Sequence, residues 1–328
     1  MVWRAFVDGL QAARRAWGLS VLLLAINSAA AGLLAVPLAL RLEHDLRNNE
    51  SAETMLYGFD YPWWSQWSDA QPGWTASFAP DIFGTGFVVK NLDLLLKGEL
   101  PAGAFRFTEA PDPSAGIPRL DALILAVGAL YWLIHTLLSG GVLAILRGTP
   151  SAWTGRALIH GAGFHAGRFL RLSALALLLA GGVFVVNAPV ADWVQDRARH
   201  AVSERTALAW LLGRHAALLL ALLLVHLLSS YAKVILVLEE RSSAALALLS
   251  SAGFCLGHFR RVAAHYGLVL VSLLGLLASW AALDARWVTI GYRTQAVTLL
   301  LAEGLMLGRL ALRLSLTTGQ MALYRRLR

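Results

Sequence analysis

Six stretches of roughly twenty apolar residues or more, each long enough to cross a bilayer as a helix, decide what this chain can become. They fall near residues 18–40, 120–146, 170–190, 207–238, 263–283 and 295–322. At about 1.5 Å per residue, twenty helical residues span a hydrocarbon core of about 30 Å. Several runs are longer and predict tilt or emergence from the bilayer. They are continuous and rich in Leu and Ala, whereas a transmembrane barrel needs short alternating strands. The expected fold class is an all-α integral membrane protein, one membrane domain over 1–328, with about six transmembrane helices as three hairpins. The basic start, the apolar core from Val21 and the small run Ser28–Ala31 also fit a secretory signal. The apolar stretch continues from about Leu19 to Leu40, which favours a first span instead.

Composition agrees. The chain is 57% hydrophobic and 15% charged with a mean hydropathy of +0.60, against roughly half apolar and about a quarter charged for a soluble chain. Its net charge of +8 does not point to nucleic acid, because the basic residues flank apolar runs and form no continuous patch with aromatics. They predict contact with anionic headgroups. A single cysteine, Cys255, excludes an internal disulfide and a paired-cysteine metal site and reads as a small buried residue.

Orientation follows from the arginines. Arg4, Arg14 and Arg15 precede the first run, Arg147, Arg156, Arg168 and Arg171 lie between the second and third, and Arg325, Arg326 and Arg328 close the sequence. By the positive-inside rule these sides are cytoplasmic, giving both termini inside a bacterial inner membrane. The one long loop, 41–118, carries eleven acidic and five basic residues and belongs outside. Segments 147–169 and 239–262 are read as cytoplasmic surface segments. In the second, Ser242 or Ser243 is placed to cap a helix carrying Leu246, Leu249, Phe254 and Leu256.

The hairpins resemble one another. Arg14-Arg15, Arg168 with Arg171, and Arg260-Arg261 introduce the odd-numbered spans, and a shift of 91 residues lays His135–Ser139 over His226–Ser230. This predicts a threefold hairpin repeat, with extra residues inserted in the first hairpin. That insertion holds a tryptophan-rich segment, Trp63, Trp64, Trp67 and Trp74. Asp60 before Pro62 suits a helix start there, and Trp63 and Trp67 then share a face. These tryptophans are expected as interfacial anchors in an outer helical cap that continues with an amphipathic helix from Gly86 to Leu96. A stacking platform for sugars or headgroups is the rival reading.

Ionisable residues inside spans are costly unless paired or wet, which makes them candidates for function. Glu303 and Arg309 lie in the sixth run and Arg214 in the fourth. Arg309, Arg313 and Gln320 form one polar stripe at about 100° per residue. Glu303 opposed by Arg214 or Arg309 suits either a proton or cation site or a structural ion pair. His135 and His226 sit mid-span, where interhelical hydrogen bonds are their ordinary use. Haem ligation is the other reading, but two histidines on each of two helices are usual for it. Ser139-Gly140-Gly141, and Gly304 with Gly308, suit close helix contact. No phosphate-binding loop, zinc-protease, nucleophile-elbow or paired-cysteine motif occurs, and nothing in the pattern asks for a cofactor.

Phe59-Asp60 with Trp63 and Trp64, Leu92–Pro101, Ser139-Gly140-Gly141, and Tyr231-Ala232-Lys233 leading to Glu239-Glu240-Arg241-Ser242 give a layout that resembles uncharacterised bacterial six-span proteins. These are similar in arrangement to the membrane domain attached to some glycerophosphodiester phosphodiesterases. The resemblance implies a fold and carries no catalytic residue with it. Three functions follow as expectations: a non-enzymatic scaffold or accessory subunit binding lipid or a larger membrane complex, a transporter or lipid-handling protein using the intramembrane charges, and, third, a membrane enzyme. The expected partners are membrane lipids.

Overall fold

A computed structural model describes residues 1–55, 60–70, 122–148, 154–287 and 295–328. Trp74 and the helix expected from Gly86 lie outside them. Among the described residues the regular structure is all helical: α1 (Val2–Arg15), α2 (Trp17–Leu46), α3 (Ser51–Thr54), α4 (Tyr61–Ala70), α5 (Ala122–Arg147), α6 (Gly155–Arg199), α7 (Glu204–Leu238), α8 (Ala244–Gly257), α9 (Phe259–Trp287) and α10 (Gln295–Leu327). Five of these, α2, α5, α6, α7 and α9, are long and apolar enough to cross a membrane. The chain is therefore a multi-pass helical membrane protein. The remaining long helix, α10, carries Glu303, Arg309 and Arg313 along its middle.

Helix starts follow local chemistry. Ser243 Oγ accepts from Leu246 N at 3.3 Å and opens α8, Thr154 and Ser203 do the same for α6 and α7, and Asp60 Oδ1 accepts from Trp63 N at 3.1 Å at the head of α4. Each side-chain oxygen satisfies one of the amides that a helix leaves unpaired at its start. The Trp63 and Trp67 rings stack at 5.7 Å as their spacing requires. Trp67 is buried and donates its indole N–H to Asp45 at 2.8 Å, so it ties α4 to α2. Trp63 and Trp64 are half-buried.

Two boundaries differ from those read off the sequence. The surface segment ending near 169 and the span beginning near 170 are one helix, α6, whose 45 residues extend about 68 Å and so overrun the bilayer core. The first span is preceded by a separate helix, α1, which turns off at Ala16. It packs against α10 because Gly9 lets the two backbones meet: a β-carbon there would lie 2.4 Å from the Ser315 carbonyl oxygen. A close crossing of the same kind joins α5 to α6. At Gly141 a β-carbon would stand 2.2 Å from the Leu158 carbonyl oxygen, and at Gly161 one would stand 3.1 Å from Gly141 Cα. The Ser139-Gly140-Gly141 motif thus works within the chain. Gly308 likewise faces Leu276 on α9, whereas Gly304 has open space around it.

At one end of the bundle, arginines from several helices converge in a set of bonds. The turn between α7 and α8 is their hub. Glu239 accepts from Tyr324 and Arg328 on or after α10, and from Arg241 Nε at 2.5 Å. Glu240 accepts from Arg147 of α5 at 2.7 Å, while the same guanidinium bonds the Val237 carbonyl at 2.9 Å. Arg168 of α6 reaches the Glu240 carbonyl at 3.3 Å, and Arg326 pairs with Asp8 of α1 at 2.6 Å. Glu240 takes a left-handed φ of +53°, the turn conformation that lets a chain leave a helix abruptly. In α8, which follows, Ala244, Ala247, Ser251 and Cys255 are buried while Leu246, Leu249 and Leu256 point outward.

Candidate functional site

The charged helix is the central one: α10 packs against α1, α2, α5, α7 and α9. That placement bears on how it carries charge, since its polar face borders a space among those helices, with Arg309 and Arg313 exposed to it. Glu303, Met306, Arg309, Arg313, Leu316 and Gln320 all lie within about 140° of one another around the axis at 100° per residue. Together they run about 25 Å along it.

That face lines a cavity of about 650 Å³. Its polar wall is Glu303, Arg309 and Arg313 of α10 with Asn27 and Ser28 of α2, His226 of α7 and Tyr266 of α9; its apolar wall includes Leu24, Leu270 and Leu273. Ser28, Tyr131, His226 and Arg309 are exposed, so the space opens at the surface of the bundle between its helices. A smaller recess of about 90 Å³ continues it toward the basic end, lined by His135, Ser139, Lys233, Thr317 and Gln320. The two share His226, Leu310, Arg313 and Leu316.

Hydrogen bonds hold the polar walls in place. His135 Nε2 lies 2.6 Å from Asn27 Oδ1, which assigns the proton to that nitrogen and joins α5 to α2. His226 Nδ1 is 2.6 Å from the Tyr266 hydroxyl and joins α7 to α9. Gln320 is buried and donates to Ser230 Oγ at 2.9 Å. The 91-residue shift therefore aligns two histidines that each bond a neighbouring helix near the same cavity. Ser139 instead turns back to the His135 carbonyl at 2.6 Å.

Of the candidate residues, Glu303, Arg309, His226 and His135 come together around this space. Arg214 is elsewhere, its guanidinium 2.5 Å from His215 Nε2. Glu303 meets neither arginine. It lies 3.4 and 3.5 Å from Ser28 Oγ, and among the described residues it forms no ion pair. Geometry explains this for Arg309: six residues further on, it is about 120° round the helix. Arg309 reaches Met306 Sδ at 3.7 Å. Sequence reasoning missed Lys233, Asn27 and Tyr266. The one available signal was Lys233 itself, a cation within the fourth apolar run.

No family model matches the chain, and no curated protein or solved structure matches it either. Fold and cavity together define a multi-pass helical membrane protein with a polar-walled cavity among its helices. Among the described residues no group of three His, Cys, Asp or Glu side chains could hold a metal ion.

Proposed function

We propose that this chain is a non-enzymatic, lipid-handling protein of a bacterial inner membrane, with six spans as three hairpins and both termini in the cytoplasm. The observation that carries the reading is the cavity of about 650 Å³ with charged and apolar walls side by side. An amphiphile fits such a space, because its polar head needs donors and its chains need leucines, whereas a small hydrated ion has no use for the apolar wall. The sixth span is α10, whose 33 residues exceed the length needed and whose charges border the cavity among its neighbours. The arginine-rich end faces the cytoplasm by the positive-inside rule. The layout likeness to the membrane domain of some glycerophosphodiester phosphodiesterases belongs to the same proposal and concerns the fold.

A second reading, a scaffold or accessory subunit, draws on α8, whose outward leucines offer a surface to lipid or to a partner protein. Photoreactive phospholipid separates the two. Cross-linking in proteoliposomes is expected to label peptides around Asn27 and Leu270. Labelling confined to α8 and the other outward faces would overturn the cavity reading and leave the scaffold.

A further inference from the structure

Lys233 and Arg313 enter the recess from different helices, α7 and α10. Lys233 is half-buried, and Arg313 is exposed to the open space between the helices. Among the described residues neither forms a side-chain hydrogen bond or an ion pair, although every carboxylate of the basic-end turn is engaged by arginine. Two cations facing one small space repel each other, and in a bilayer such groups persist when they are wet or matched by an anion. Glu303, the carboxylate on the cavity wall, does not supply it. It is ten residues from Arg313, about 15 Å along α10, and lies against Ser28.

We infer that the recess is the seat of a phosphate-type oxyanion held between Lys233 and Arg313. The donors left for that occupant are the two cations and a ring nitrogen of His226 on the same walls. Thr317, Ser139 and Gln320 also line the recess but already donate to the Arg313 carbonyl, the His135 carbonyl and Ser230. Arginine offers a planar donor fork and lysine a point charge, a pairing suited to a tetrahedral anion. The recess, about 90 Å³, has room for a headgroup phosphate and none for an acyl chain, which would lie in the adjoining 650 Å³ space. Arg313 lines both compartments and so stands where headgroup would meet chain. This inference rests on the lipid-handling reading for the source of the anion, but not for its charge, since free phosphate has the same chemistry.

The test uses the full chain in detergent, delipidated, with phosphatidylglycerol, phosphatidylcholine and inorganic phosphate as separate probes, read by native mass spectrometry and by ligand-dependent melting. Phosphatidylglycerol is expected to bind about tenfold or more tightly than phosphatidylcholine, and both K233M and R313Q to lose about that factor. K233R keeps the charge and is expected to keep the preference. A K233M protein that melts no lower than wild type without ligand, yet gains nothing from phosphatidylglycerol, shows that the fold survived and the site did not. Binding of inorganic phosphate alone, lost in the same variants, supports the oxyanion seat and defeats the lipid reading. Retention of both lipids equally, untouched by the variants, overturns the oxyanion seat while leaving lipid handling intact. No binding of any of the three probes also overturns it.

Discussion

Two regions of this molecule hold clusters of charge and treat them in opposite ways. At the basic end, Glu239, Glu240 and Asp8 are matched by Arg241, Arg328, Arg147 and Arg326, and the bonds run between α1, α5, α7 and α10. About 20 Å up α10 from its end, Arg313 has no such partner, and Lys233 shares its situation. The first arrangement locks helices together; the second leaves donors facing a space. Charge in a membrane protein therefore does not mean one thing, and the deciding observation is whether the protein itself completes the pair.

The sharpest way to break this contrast is Glu239→Gln. Burial pushes the Glu239 pKa up, but hydrogen bonds from Tyr324 and Arg241 and the charges of Arg241 and Arg328 outweigh it and hold the carboxyl below its ordinary range. Replacing it leaves two guanidiniums facing each other, and a loss of about 2–3 kcal/mol in stability is expected, measured by thermal or denaturant unfolding in micelles. A loss indistinguishable from zero would mean the basic end is no clamp. Acid tests the same point. Glu240 is also held low, by the hydrogen bond and charge of Arg147. With both carboxyls depressed in the folded state, their stabilisation is fully present above the unfolded pKa and is lost as pH falls through the folded one. Melting temperature should therefore drop below about pH 4, and that acid-side drop should be shallower in Glu239→Gln.

The opposite sign is expected in the cavity. Arg313→Met removes a cation that the protein does not pair, and in delipidated micelles stability should be unchanged or rise by about 1 kcal/mol. A loss as large as that of Glu239→Gln would show that Arg313 has a structural partner and would erase the distinction between the two regions.

The two regions also differed in how far they could be read from sequence. Five of the long apolar helices, the choice of Ser242 or Ser243 as a cap, the Gly140-Gly141 crossing and the buried Cys255 follow from local pattern, because each depends on periodicity or on neighbours a few residues away. The cavity does not. His226 and Tyr266, or Lys233 and Arg313, meet only once α7, α9 and α10 are assembled, and leucine-rich helices carry little record of which face meets which. Glu303 illustrates the limit: sequence supplied two candidate arginines, whereas packing gave it Ser28. The hub at Glu239 and Glu240 was visible only as a string of charged residues after a span, with no sign that Arg147 and Arg328, far apart in the chain, would converge there.

The smallest expected effect concerns how the clamp is built. Glu240 has a left-handed backbone, φ +53°, and a side chain that pairs with Arg147 at the exposed rim. Glycine relieves the backbone at this position and alanine does not, while both remove the carboxylate. If the turn matters mainly as geometry, Glu240→Gly should melt at or slightly above wild type and Glu240→Ala below it. If the ion pair dominates, both should fall together. The structure favours the first outcome, because the turn is still gripped without that carboxylate: Arg147 keeps its bond to the Val237 carbonyl and Arg168 its bond to the residue 240 carbonyl. A common fall in both variants would instead place the Arg147 pair beside Glu239 as a true fastening of the basic end, and would make the contrast with the unpaired cations of the cavity sharper still.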